Sequence, residues 1–421
     1  FLSEPKVAIR AWRHSMYIDR QMQPLLTELQ TQFPALLVTG PRQVGKSTLL
    51  KHVAPDHHYV SFDDPLLRQQ ADDDPALFLR NHPDRLILDE VQHVPSLFPL
   101  LKLEIDRRQE NGRYLLSGSQ AFGLMQNVSE SLAGRIAVLN LSGLSLREIH
   151  GVTLTDSFIP TDDYLQKREA SLKPCPDIWE TIHRGYMPRL YQQKVNWDVY
   201  YASYVATYIE RDVRQLANIG STSDFTRFMV AVAARSAELL NYSSVAQDAG
   251  ISMDTAKRWM AVLQASGIIH LLPPYHNSHL KRAIKTPKLY MRDTGLMAWL
   301  TKWLTPDTIR LGARSGQFFE TFVVSEIIKS FQNRGTVPPL YFYRDTSQKE
   351  IDLLIEHGRT LYPIEIKTSA KPDRRMGSAF QVLHTHLPAA DITVARGTII
   401  DQYPQKLWLA DDLLSLPVEY L

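Results

Sequence analysis

The stretch Leu36–Leu50, LLVTGPRQVGKSTLL, decides how this chain is read. Ala35 to Val38 is a short apolar run of the kind that forms a buried strand. It breaks at Gly40 into GPRQVGKS, a complete G-x-x-x-x-G-K-[ST] pattern, and then passes into helical spacing. Gly40 and Gly45 permit backbone angles that turn successive N–H groups inward, where they cradle phosphate oxygens. The helix starting near Lys46 points its positive end at the same place. Lys46 would reach the β- and γ-phosphates and the Ser47 hydroxyl would ligate Mg²⁺. Gly40, Pro41, Arg42, Gln43, Val44, Gly45, Lys46, Ser47 and Thr48 are therefore the candidate residues for holding ATP. A chance glycine turn before a helix is the competing explanation.

Around this stretch the composition is that of a globular chain. Its 421 residues exceed one ordinary core, so two to four domains are expected. The net charge of +2 is too small to announce nucleic acid, and any DNA argument must rest on local patches. The single cysteine, Cys175, leaves no intramolecular disulfide and no cysteine-rich zinc site, which suits a reducing cytoplasm. No apolar run approaches the ~18–20 residues that span a bilayer, and no signal-peptide pattern is present. Because residue 1 is Phe, the natural start is expected upstream.

Met16 to Phe33 carries apolar residues at helical spacing and would pack beside the first strand. HYVSFDDP (58–65) reads as a second strand. Arg85 to Glu90, RLILDE, is an apolar strand closing on two acids, the Walker B pattern. Asp89 would hold Mg²⁺ through water, and Glu90 would polarise the attacking water. A helix over 97–108 precedes another strand, RYLLSGSQ (113–120), whose carboxyl end would lie beside the γ-phosphate. Ser119 and Gln120 are thus candidate phosphate sensors, with an ordinary strand exit as the alternative. In SLAGRIAVLNLSGLS, Arg135 is a candidate arginine finger, acting in cis or from a neighbouring subunit of a homo-oligomer. A salt-bridging arginine is the plain alternative.

In this order GPRQVGKST, SFDDP, LILDEVQ, LLSGSQ and SLAGR resemble the bacterial and archaeal AAA-type ATPases whose second half is a domain of unknown function. The resemblance continues through HRGYMPRL, YIERDVRQL and KLYMRDTGL and covers most of the chain. It implies an α/β fold with a P-loop NTPase parallel sheet. A helical and winged-helix region and a C-terminal α/β nuclease-like domain would follow.

The expected divisions are 1–150 for the ATP-binding domain, 151–176 for a linker or loosely packed insertion, 177–300 for the helical and winged-helix part, and 301–421 for the C-terminal domain. Residues 179–214 are helical in pattern and rich in tyrosine, a stripe that at this spacing belongs to a core. From Phe225 to Tyr290, a helix, a short helix ending at Gly250, a turn and a further helix to Ser266 give helix-turn-helix punctuation. Residues 268–274 and 288–292 would be the strands of a wing, with a basic loop, HNSHLKRAIKTPK, between them. On the sharper reading Lys257 and Arg258 meet a major groove, with Lys281, Arg282 and Lys285 on phosphates. On the plainer one the unit packs against the ATPase.

In the last part, SGQFFETFVVSEIIK is an amphipathic helix bearing Glu320, and YFYRD with KEIDLLIEHGRTLYPIEIKTS reads as three strands. With Gly358-Arg359 as a two-residue loop, Asp352 falls opposite Glu365, and Lys367 shares their face. Carboxylates opposed at ~5 Å repel unless something positive lies between them. A second divalent metal, Mg²⁺ or Mn²⁺, would resolve this, with Lys367 stabilising charge on a phosphate. Glu320, Asp352 and Glu365-x-Lys367 resemble the PD-(D/E)xK nucleases, although Ile351 replaces the proline that some members carry. An inactive, merely polar site is the alternative. The ATP cycle would then drive either DNA processing or a switch that recruits a protein partner.

Overall fold

The computed structural model describes residues 17–119, 122–175, 177–207, 221–276, 285–387 and 392–421. Three sheets organise it. The first is parallel and five-stranded: β1 (Ala35–Thr39), β2 (His58–Ser61), β3 (Leu86–Asp89), β4 (Tyr114–Ser117) and β5 (Ile136–Asn140), in the order β2-β3-β4-β1-β5. β1, β3 and β4 are buried throughout, as central parallel strands covered on both faces must be. All five strands run the same way, so the P-loop after β1, the acids after β3 and the exit of β4 share one edge.

The second sheet is antiparallel and small, with β8 (Lys288–Met291) between β6 (Glu238–Leu239) and β7 (Ile269–Leu272). Helices Thr222–Ala233, Tyr242–Ala249 and Met253–Ala265 pack around it. Gly250 ends the second of these in the left-handed region, at φ 69°, and Ser252 caps the third through Thr255 N–H.

The third sheet is mixed. Along its path, β14 (Leu407–Ala410), β15 (Leu413–Pro417), β13 (Gly397–Asp401), β11 (Thr360–Ile366), β10 (Glu350–His357) and β9 (Leu340–Arg344) are neighbours, and β12 (Thr393–Val394) pairs with β11. Helix Ser315–Gln332 lies against it, with Phe318, Phe319 and Phe322 fully buried.

One apolar cluster runs without a break from Leu36 through Tyr201, Trp259 and Phe322 to Leu421, so the three sheets share a core. Residues 151–176, expected to be a linker or loose insertion, instead hold helix Asp162–Glu169 with Tyr164 and Leu165 buried. Tyr164 Oη donates to Tyr420 O at 2.6 Å, and Arg147 Nε donates to Leu421 O at 3.1 Å. Their apolar residues lack periodicity because they pack on a distant segment rather than on each other. The helix expected over 16–33 covers only Gln23–Leu29. Pro24 stands in its first turn, where its missing N–H costs nothing; a helix reaching further upstream would need that N–H for its own bond. The tyrosine-rich stretch is broken into Ile178–Arg184, Arg189–Gln192 and Trp197–Tyr204: Gly185 and Pro188 stand in the first break, and Asn196 caps the third helix after the second. Tyr200, Tyr201 and Tyr204 are core residues.

Candidate functional site

Two glycines shape the loop after β1. At Gly40, φ is 141° and an added Cβ would stand 2.1 Å from Leu141 O, where β5 runs out beside the loop. At Gly45, φ is 93°, and helix Lys46–Val53 starts immediately after it. Lys46 Nζ donates to Gly40 O at 3.1 Å and Pro41 O at 2.9 Å, so the ammonium is drawn back over the loop. Burial lowers its pKa to about 8, opposed by the charges of Glu90 and Asp89. Gln43 adopts φ 63° without being glycine, and Tyr200 Oη donates to its Oε1 at 2.7 Å.

Asp89 is the centre of a hydroxyl cage. Ser47 Oγ donates to its two oxygens at 2.9 and 2.8 Å, Tyr59 Oη donates at 2.6 Å, and Ser117 Oγ donates from the end of β4. Glu90 leaves the strand at φ 57° and faces the cleft. Gln92 Nε2 donates to both Glu90 Oε2 and Ser119 Oγ, the latter at 3.1 Å, which joins two of the expected residues through one that the sequence left unassigned. Gln120 lies outside the described residues.

The cleft over the P-loop has a volume of about 540 Å³. Arg42, Gln43, Val44, Gly45, Lys46, Ser47, Thr48 and Glu90 line it, together with Tyr17, Arg20, Pro188, Arg189 and Gln192. Arg20 ties the wall together, donating to Val44 O and Ser142 O, both at 2.7 Å, and to Glu148 Oε1 at 3.0 Å. Tyr17, Arg20 and Arg189 carried no local signal, since only tertiary packing brings them to the loop. The residues fit a magnesium nucleotide. Gly45 brings the backbone to the cleft without a side chain, and Ser47, whose hydroxyl is held by Asp89 at 2.8 Å, is placed to ligate Mg²⁺ with the carboxylate behind it.

Arg135 is elsewhere. It precedes β5, whose register with β1 runs from Ala35↔Ile136 to Thr39↔Asn140. It therefore sits at the amino edge of the sheet, on the order of 15 Å from the P-loop edge. Its guanidinium pairs with Asp106 at 2.5 and 3.0 Å. The cis finger is thus excluded by position.

In the C-terminal sheet the expected hairpin forms. Gly358 takes φ 62°, and the register Leu353↔Ile364 to His357↔Thr360 sets Asp352 opposite Glu365. Asp352 Oδ2 accepts from Ile366 N–H at 2.9 Å, and Lys367 Nζ donates to Glu365 Oε1 at 2.5 Å and lies 3.8 Å from Asp352. Glu320 reaches the same place from its helix and accepts from Tyr290 Oη at 2.6 Å. The cation between these acids is Lys288, from β8. Its Nζ stands 3.1 Å from Glu320 and 3.9 Å from Asp352 and is paired with Glu350. Burial raises the pKa of Glu365 to about 8, and Asp352 adds to the shift. Burial also lifts Glu320, to about 6. The expected second divalent metal does not fit beside this ammonium. Among the described residues no group of three acidic, histidine or cysteine side chains is arranged to hold a metal.

On helix Met253–Ala265, Ala256, Trp259, Met260, Val262 and Leu263 are buried, whereas Lys257 and Arg258 face solvent. Lys285 is exposed; Lys281 and Arg282 lie outside the described residues. No helix among the described residues is long and apolar enough to cross a membrane.

Three stretches match known families: residues 32–150 an "AAA domain", 175–307 a "Domain of unknown function (DUF8612)", and 315–418 a "Domain of unknown function (DUF4143)". The uncharacterized proteins Rv2008c of Mycobacterium tuberculosis and Mb2031c of Mycobacterium bovis are each 28% identical over 394 residues, which is 92% of this chain and 81% of theirs. Among solved structures, the Walker-type ATPase PABY2304 of Pyrococcus abyssi aligns with a TM-score of 0.42 at 15% identity, over 68% of this chain and 96% of its own. AMPPCP-bound DnaA from Aquifex aeolicus gives 0.30 at 13%, over 58% and 85%. The complete P-loop, the parallel five-stranded sheet and the match over residues 32–150 identify an AAA-type P-loop ATPase fold in this chain.

Proposed function

We propose that this chain hydrolyses ATP with Mg²⁺ and couples that cycle to DNA binding. The observation that carries the hydrolytic part is the Ser47–Asp89 contact beneath the P-loop, where the carboxylate accepts from the hydroxyl that would ligate the metal. Mg²⁺ bound with the nucleotide would neutralise charge at the phosphates. Ser47 would hold it directly and Asp89 through water. Lys46 would leave the Gly40 and Pro41 carbonyls for the β- and γ-phosphates. Glu90, held by Gln92, would orient and polarise the attacking water, with Ser119 beside the γ-phosphate. Arg135 would serve as a finger only across a subunit boundary, which requires a homo-oligomer.

The DNA part is supported by segment 222–291, whose described helices and three-stranded sheet suit a winged-helix reading. Its helix Met253–Ala265 turns Lys257 and Arg258 outward, as a reading helix would. We take 1–150, 177–300 and 301–421 as the domains, with 151–176 a structured connector. Packed contacts join them. Ser142, which Arg20 links to the P-loop, donates to Gln332 Oε1 at 2.7 Å, and Leu146 N–H donates to Glu326 Oε2 at 2.7 Å.

The test is the ATPase rate with double-stranded, single-stranded and branched DNA at low and moderate salt, since phosphate contacts weaken steeply as salt rises. Stimulation that survives moderate salt and is lost in K257E/R258E supports the coupling. A rate indifferent to every nucleic acid overturns it and leaves the hydrolysis standing. One observation favours a second reading, a nucleotide-controlled switch that recruits a protein partner: Lys288 fills the carboxylate cluster in which cleavage chemistry was expected.

A further inference from the structure

Four carboxylates from three elements converge in the C-terminal part: Glu320 on helix Ser315–Gln332, Glu350 and Asp352 on β10, and Glu365 on β11. Three cations meet them. Lys367 covers Glu365 and Asp352, and Arg344 donates to Glu350 Oε2 at 3.0 Å. The third, Lys288, comes from outside this sheet, and its side chain is only 3% exposed. It alone touches Glu320, Glu350 and Asp352 together. Glu365 Oε2 is buried and has no hydrogen-bond partner.

We propose that Lys288 is the resident cation of this cluster, standing where a divalent ion would otherwise bind, so that the C-terminal domain is clipped to the β6-β8-β7 sheet and is not a metal-dependent unit. Three physical points carry this. First, Mg²⁺ and Mn²⁺ gather oxygens at about 2.1–2.2 Å, whereas the separation of 3.1 Å from Glu320 is that of an ammonium hydrogen bond. Second, β8 is the central strand of its sheet, paired on both edges, so Lys288 cannot back out without breaking a ladder. Third, withdrawing a buried cation from buried carboxylates leaves charges that the interior does not tolerate, so the ion pairs hold the two sheets together. Tyr290, two residues on and on the same face of β8, adds a hydroxyl to Glu320 and fixes it toward the ammonium. The inference is independent of the ATPase reading.

The experiment is a Mn²⁺ titration of the full chain without nucleotide, read by the loss of the free-ion EPR signal. The difference between a protein and its E365Q counterpart isolates the C-terminal cluster from the P-loop. Wild type and E365Q should bind alike. K288M, which keeps the length of the side chain and removes its charge, should take up a Mn²⁺ ion that K288M/E365Q does not. Tighter Mn²⁺ binding by wild type than by E365Q overturns the proposal, and so does a folded K288M that gains no binding. The wild-type comparison stands even if K288M fails to fold, and K288R, which keeps the charge, should behave as wild type.

Discussion

Tyr200 Oη donates to Gln43 Oε1 at 2.7 Å, so a core tyrosine of the middle segment holds a P-loop residue in the left-handed region, at φ 63°. A non-glycine residue there is strained and needs support from its surroundings. One neutral hydrogen bond contributes about 0.5–1.5 kcal/mol. Tyr200→Phe should therefore raise the KM for ATP about 2–10-fold and leave the far-UV spectrum unchanged. Steady-state ATPase assays check this, and an unchanged KM would separate the loop from the middle segment.

Gly40 tests the backbone argument. Gly40→Ala places a Cβ 2.1 Å from Leu141 O, a backbone atom that cannot swing aside as a side chain would. It should cost about 2–4 kcal/mol and remove nucleotide binding. Gly316, whose added Cβ would meet nothing within 4 Å, is the control. Gly316→Ala should be neutral or slightly stabilising, since alanine favours the helix. Thermal melts of the two variants decide it.

Lys46 gives a pH dependence. Burial lowers its pKa from the ordinary lysine range to about 8, so the free protein loses this positive charge as pH rises through that value. ATP affinity should hold steady below pH 8 and weaken above it, by at most about tenfold per pH unit for one proton. Fluorescent-nucleotide binding from pH 6.5 to 9.5 measures this. Affinity that is flat across pH 8 would remove Lys46 from the phosphates.

Glu365 gives the opposite kind of dependence, in stability. Its pKa in the folded chain is raised to about 8, mainly by burial, so between the usual glutamate range and pH 8 the native state binds the extra proton. Stability should fall as pH rises through that window, and the contribution is fully present only below it. Glu320, raised to about 6, acts in the same direction. Glu365→Gln should flatten the decline in thermal midpoint between pH 5 and 8, and an unaltered slope would contradict the buried protonated carboxyl.

Much of the nucleotide site was legible because its determinants are local. Glycine backbone angles, strand runs closing on acids and the Gly358 turn are encoded within a few residues, and the turn alone fixed Asp352 against Glu365. What escaped was every contact made by packing. Arg20 reaches Val44, and Tyr59 and Ser117 complete the cage at Asp89, through strand order that no short window contains. Lys288 falls where the basic loop meets the expected strand 288–292, and β8 does begin there, but no short window shows that its side chain is buried among acids 32 to 64 positions downstream. The repulsion between Asp352 and Glu365 demanded a cation, which Lys367 supplies from their own face, and only the fold could add Lys288 to the neighbouring acids.

The central claim is most directly tested by ATP binding and turnover with Mg²⁺ in wild type, Glu90→Gln and Lys46→Ala. Wild type should hydrolyse ATP. Glu90→Gln should bind it with near-normal affinity and turn over about 10²-fold or more slowly, as expected when a group that polarises the nucleophile is neutralised. Lys46→Ala should fail to bind. Wild-type turnover by Glu90→Gln, or normal binding by Lys46→Ala, would contradict the account.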